Sequence, residues 1–193
     1  RAGTSPAVPV AAPVLMGERY DGRPVYFSDV IVRADGPFRS FLDLRGHSWA
    51  YNEPLSHSGY GITRYHLLEL GETHGFFSEV IAAGFHETAI RLVANGEVAG
   101  SAVDSQVLEI ALRDDPSLVR ALRVVDRFGP STIQPVAVSL RVPEIQRNEI
   151  REVLTTMHED PAVRERLARG LVERFVPVGP SSYDDIRRML EAC

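Results

Sequence analysis

The sequence predicts an α/β fold. β-branched segments alternate along the chain with segments whose apolar residues recur at helical spacing. Most of the predicted helices are bounded by glycine or proline rather than running into one another. The chain has 193 residues, 44% of them hydrophobic, enough for one sizeable core or two small lobes.

The elements follow in chain order. Residues 1–18 are rich in Pro and Ala and read as an extended lead-in with a short strand at APVLM. RPVYFSDVIVRAD, 23–35, alternates and is β-branched, so it predicts a long strand. PFRSFLDLRG predicts a short helix or turn ending at Gly46, and HSWAYN, 47–52, a strand. SHSG opens a helix over 59–70 that Gly71 closes. FFSEVIAAG is a short strand or a turn-rich segment, HETAIRLVANG a helix with a glycine stop, and VAGSAVDS a small-residue strand. SQVLEIALRDDP is a helix stopping at Pro116, followed by strands at ALRVVDRFG and IQPVAVSL. The C-terminal third predicts helices over 143–160, at PAVRERLARGL and at 183–192. The alternation favours a largely parallel sheet.

Composition removes several functions. The formal net charge of -5 argues against a broad nucleic-acid footprint. All 21 basic side chains are arginine, which excludes a Schiff-base lysine and a P-loop lysine. The single cysteine, Cys193, allows neither a disulfide framework within the chain nor a cysteine zinc site. No H-E-x-x-H motif is present, no metal or cofactor is expected, and no apolar run is long enough to span a membrane. The chain starts at Arg1 without a signal peptide, which predicts a removed leader or a fragment.

Five places could carry chemistry. Ser56, His57, Ser58 and Gly59 stand where a helix begins; the unpaired N–H groups and dipole there attract an anion, two hydroxyls add hydrogen-bonding groups, and glycine permits close approach. The alternative is an ordinary serine cap. His86 opens the next helix, either facing a cleft or solvated. Tyr26 shares a strand face with Ser28, as a ligand donor or as packing. Asp104 ends a strand and precedes a helix, where α/β ligands collect and where Asp also caps. Gln134 follows Ser131 and Thr132 in a Pro/Gly-rich stretch that is a hinge or a turn. A nucleophile elbow is not formed, because Ser56 occupies the place of the first glycine of G-x-S-x-G.

Taken in order, VYFSDVIVRAD, SFLDLRG, NEPLSHSGYG, FHETAIRLVANGEVAGSAVDS, RVVDRFGPSTIQPVAVS and the tail MHEDPAVRERL…YDDIRRML resemble the phosphate/phosphite/phosphonate substrate-binding proteins of ABC importers, a branch of the type 2 periplasmic-binding-protein fold. The resemblance covers nearly the whole chain from about Ala12. It implies two α/β lobes joined by crossing strands, YFSDVIV going out and STIQPVAVS returning, with hinge closure on the ligand. Lobe II would span 30–125, with 1–29 and 126–193 forming the hinge strands and the rest of lobe I. The family's opening β-α-β-α unit has no counterpart, so the first lobe is expected to be incomplete, with exposed sheet edges that favour self-association.

The family's Ser-Thr-Ser-Gly falls on Ser56, His57, Ser58 and Gly59, with His57 departing from the usual threonine; its cleft tyrosine falls on Tyr26 and its cleft histidine on His86. Gln134 stands where amine-binding relatives have an acidic residue, and Ala99 where Asp is common, which counts against an aminoalkyl phosphonate. The resemblance implies a non-enzymatic, extracytoplasmic or periplasmic component with two partners, a small oxyanion and a membrane permease. The alternatives are a sensor or regulator module of the same fold, and an enzyme similar to those of thiamine-pyrimidine synthesis.

Overall fold

The computed structural model describes residues 6–72 and 74–193; the first five residues of the predicted lead-in lie outside the described residues. The chain forms two compact units. One contains residues 1–26 and 131–187, the other 27–130 and 188–193.

The larger unit is built on a five-stranded sheet. Its strands are β2 (Val25–Arg33), β3 (Ser48–Tyr51), β4 (Glu79–Ala82), β5 (Gly100–Asp104) and β6 (Leu122–Thr132), in the spatial order β4-β3-β5-β2-β6. The first two residues of β2 and the last two of β6 belong to the smaller unit, so these two strands carry the chain from one unit to the other. β3 is parallel to both β4 and β5, whereas β2 is antiparallel to β5. The helices are α1 (Ile62–Glu69), α2 (His86–Ala94), α3 (Ser105–Asp114) and α4 (Pro116–Ala121).

Strand alternation gives this sheet two cores, one per face. Val30, Val32, Phe41, Leu44, Trp49, Ile62, Phe76, Ala102 and Phe128 form one cluster. Ile31, Ala50, Ala89, Ile90, Val93, Val98, Val103, Leu108 and Leu122 form the other. Val30, Ile31 and Val32 are all fully buried, and a strand covered on both faces reads as a continuous apolar run. At the sheet's other margin the buried carboxylate of Asp29 pairs with Arg127 of β6 at 3.2 Å.

The smaller unit holds a three-stranded sheet of β1 (Ala7–Leu15), β7 (Val136–Ser139) and β8 (Val172–Pro177). β1 lies in the middle and is antiparallel to both neighbours, with Val8 opposite Val138 and Ala12 opposite Val176. α5 (Glu144–Thr156) and α6 (Pro161–Arg169) pack on this sheet, and α7 (Asp184–Ala192) begins here, tied down by the Asp185 carboxylate accepting from Thr132 N and Oγ1.

The α/β expectation holds, and several details are corrected. The parallel sheet is confined to β3, β4 and β5, because the other strands enter from distant segments rather than through helical crossovers. APVL, up to Leu15, is the end of a strand of nine residues rather than the five expected, and Met16 lies beyond it. The sequence expectation missed α4, which starts with Pro116 at its first position and an Asp115 cap, and β8, whose VERFVP pattern is half-polar. GPST is no turn between strands: it completes β6, and VAVS is a separate strand of the smaller sheet.

Candidate functional site

The stretch NEPLSHSGYG runs off the end of β3 into α1. The helix does not start at residue 59 as the spacing predicts. A π-helical turn, His57–Gly61, comes first, and α1 proper starts at Ile62. Ser56 is the cap: its Oγ accepts from Gly59 N at 3.2 Å.

The glycine at 59 is dictated by contact. A Cβ built there would lie 2.1 Å from Asn52 Oδ1 and 3.3 Å from the Asn52 backbone nitrogen. A methyl there would have to displace the Asn52 amide, so glycine lets the turn lie against the end of β3 with that amide in place.

α2 brings His86 to the same place. Its Nε2 lies 2.9 Å from Ser58 Oγ and 3.3 Å from Asn52 Nδ2. Ser58 Oγ is in turn 3.3 Å from Ser56 Oγ. Ser58 is buried, while Ser56, His57, Asn52 and His86 keep part of their surface exposed. The result is a short chain of hydroxyls and imidazole at the mouth of a helix, where the dipole favours negative charge.

Burial lowers the His86 pKa below its ordinary value of 6.5, opposed in part by the neighbouring Glu87 carboxylate. The imidazole is therefore neutral in the folded protein near pH 7, and the unfolded chain takes up the proton more readily. Stability from this group is complete above the ordinary value of 6.5 and is lost as pH falls below it towards the folded value. Thermal unfolding from about pH 7 to about pH 5 is expected to show a falling midpoint, and the slope should shrink in His86→Gln. An unchanged slope in that variant would mean that other groups carry the acid sensitivity.

The structure thus brings Ser56, Ser58, Gly59 and His86 together, with His57 in the same turn. Asp104 has a different occupation: its Oδ1 caps α3, accepting from Gln106 N at 2.9 Å and Val107 N at 3.4 Å. Tyr26 and Gln134 belong to the smaller unit. Tyr26 is buried on β2, and Gln134 is exposed in the loop between β6 and β7. Asn52 was not singled out from the sequence; the NEPLSHSG stretch contained it, but only its contact with Gly59 and His86 shows its place.

A family model described as ABC transporter, phosphonate, periplasmic substrate-binding protein matches residues 6–183. Among solved structures, a binding protein component of an ABC phosphonate transporter from Pseudomonas aeruginosa superposes with a TM-score of 0.82 at 19% identity, covering 95% of this chain and 61% of that one. PhnD1 from Prochlorococcus marinus, in complex with methylphosphonate, gives a TM-score of 0.80 at 18% identity over 97% of this chain and 72% of that one. The periplasmic aliphatic sulphonate binding protein SsuA from Escherichia coli gives 0.61 at 16% identity, covering 97% and 67%. At these identities the solved structures establish a shared fold, the two-lobed periplasmic-binding-protein fold, and not a shared ligand.

Proposed function

The chain belongs to the periplasmic substrate-binding family of ABC phosphonate transporters, and from that premise we propose that it is the extracytoplasmic binding component of an importer for a small phosphonate-like oxyanion. The family is one of binding proteins, so the chemistry is capture and release rather than turnover. The partners are the ligand and the transporter's membrane permease.

The observation that carries this reading is the Ser56–Ser58–His86 chain at the head of α1, seated on Gly59. The helix start supplies the field for the ligand's charge, and the two hydroxyls supply hydrogen-bonding partners. Because His86 is neutral, the site attracts the anion through dipoles and hydrogen bonds rather than through a fixed cation.

Calorimetric titration with methylphosphonate tests this. The Ser56→Ala, Ser58→Ala double variant is expected to bind at least about tenfold more weakly, about 1.4 kcal/mol. Both serines are small, so the change deletes hydrogen-bonding groups without opening a large cavity. An unchanged dissociation constant in the double variant would remove the turn from the site.

A further inference from the structure

The larger unit carries a cavity on the flank of α1 that the oxyanion reading does not use. It measures about 350 Å³, within the range of about 300–1,000 Å³ that small-molecule sites occupy. Its helix side is made by Tyr60, Thr63, Arg64 and Leu67, whose spacing of three and four residues puts them on one side of the helix. Its sheet side is made by Trp49 and Tyr51, which share a face of β3, and by Val80, which stands opposite Trp49 on β4. β4 is the edge strand, and among the described residues no strand lies beyond it, so Val80 is left 52% exposed.

The walls are mostly planar side chains. The Trp49 indole and the Phe77 ring stack at 4.7 Å between centroids, 12° from parallel. The Tyr51 and Tyr60 rings lie 4.9 Å apart, tilted by 43°. Rings that only fill a core are closed over, whereas Tyr51, Tyr60 and Phe77 all keep part of their surface exposed. The one charged lining residue is Arg64. Its guanidinium lies 5.5 Å from the centre of the Tyr60 ring and gives one N–H to the main-chain oxygen of Cys193 at 2.8 Å. No side-chain carboxylate among the described residues pairs with it, so the rest of its donor fork stands at the cavity unmatched.

We propose that this cavity is a second binding site, for a small aromatic carboxylate whose ring lies among the aromatic walls and whose charge pairs with Arg64. Aromatic rings gain from packing on other rings beyond the area they bury. The planar guanidinium matches a carboxylate with two parallel hydrogen bonds, and its low hydration suits a half-open apolar site. The site is separate from the one at the head of α1. Of the residues gathered there, only Gly59 also lines the cavity; the two serines and His86 do not.

Calorimetric titration with benzoate reads the affinity, and the fluorescence of Trp49, the protein's one tryptophan, reports where the ligand sits. Benzoate is expected to bind saturably, to change that fluorescence, and to bind at least about tenfold more tightly than benzyl alcohol, which has the ring without the charge. Arg64→Gln should weaken benzoate by at least about tenfold and leave benzyl alcohol as it was. The Arg64 side chain is exposed, so the variant keeps its fold. Saturating methylphosphonate should not displace benzoate. Absence of saturable benzoate binding, or binding without a change at Trp49, overturns the inference. So does an unchanged benzoate affinity in Arg64→Gln. Displacement of benzoate by methylphosphonate would put the carboxylate at the head of α1 and overturn it as well. Failure of methylphosphonate to bind, with benzoate still bound, defeats the oxyanion reading and leaves this site standing.

Discussion

Replacing Phe41 by alanine is expected to destabilise the larger unit by about 3–5 kcal/mol. Phe41 sits in a short 3-10 turn and is fully buried. Its ring stacks on Phe76 at 5.0 Å between centroids and meets Trp49 edge-on at 5.7 Å and Phe128 edge-on at 5.1 Å. Phe77 and His66 close the remaining sides at 5.9 and 5.3 Å. Removing the ring takes one partner from five aromatic contacts at once, and neighbours held by strands and a helix cannot all collapse into the gap. The protein has one tryptophan, Trp49, and it lies in this cluster, so its fluorescence in a urea titration follows the larger unit. The expected result is a lower midpoint with an unchanged slope. A loss below about 1 kcal/mol would show that the cluster is not tightly packed.

Gly59→Ala is expected to weaken methylphosphonate binding by about 10–100-fold. The added methyl would stand 2.1 Å from Asn52 Oδ1. Either the Asn52 amide turns aside and loses its contact with His86, or the turn moves away from the end of β3 and takes Ser56 and Ser58 with it. Gly61→Ala is the control, since the methyl there meets His57 Nδ1 at 3.2 Å, which asks a neighbour to give by only a few tenths of an ångström. Calorimetry on the two variants should separate them by at least about tenfold. Equal losses would mean that the turn responds to any added bulk rather than to this contact.

The local grammar of the site was readable in the sequence. Two serines and a glycine before an apolar helix state a cap and a close approach, and the glycine stops at Gly71 and Gly96 do have the positive φ of 75° and 77° that such stops require. The site's depth was not readable. That Asn52 touches both Gly59 and His86 depends on β3 and β4 being parallel neighbours, so that the head of α2 and the turn after β3 meet; no spacing along the chain encodes it. Asp104 illustrates a position that the sequence leaves open. Its place at a strand end suits both a ligand and a cap, and the two N–H groups it accepts from show the capping use. β8 escaped because Glu173 and Arg174 interrupt its apolar pattern, which only half-buried strands allow. The antiparallel character of the smaller sheet escaped because its partners are brought together from opposite ends of the sequence.

That last arrangement has a consequence for synthesis. β1 emerges from the ribosome early, yet its two neighbours are β7, more than a hundred residues later, and β8, later still. The larger unit is almost wholly contained in the intervening stretch and can condense while β1 waits without a strand on either side. Closing so long a loop is slow, and an apolar strand with both edges open is a hazard while it lasts. The nascent chain is therefore expected to show protection of the 27–130 region before β1 is protected, and to offer the β1 segment, Ala7–Leu15, to holding chaperones until β8 has been made.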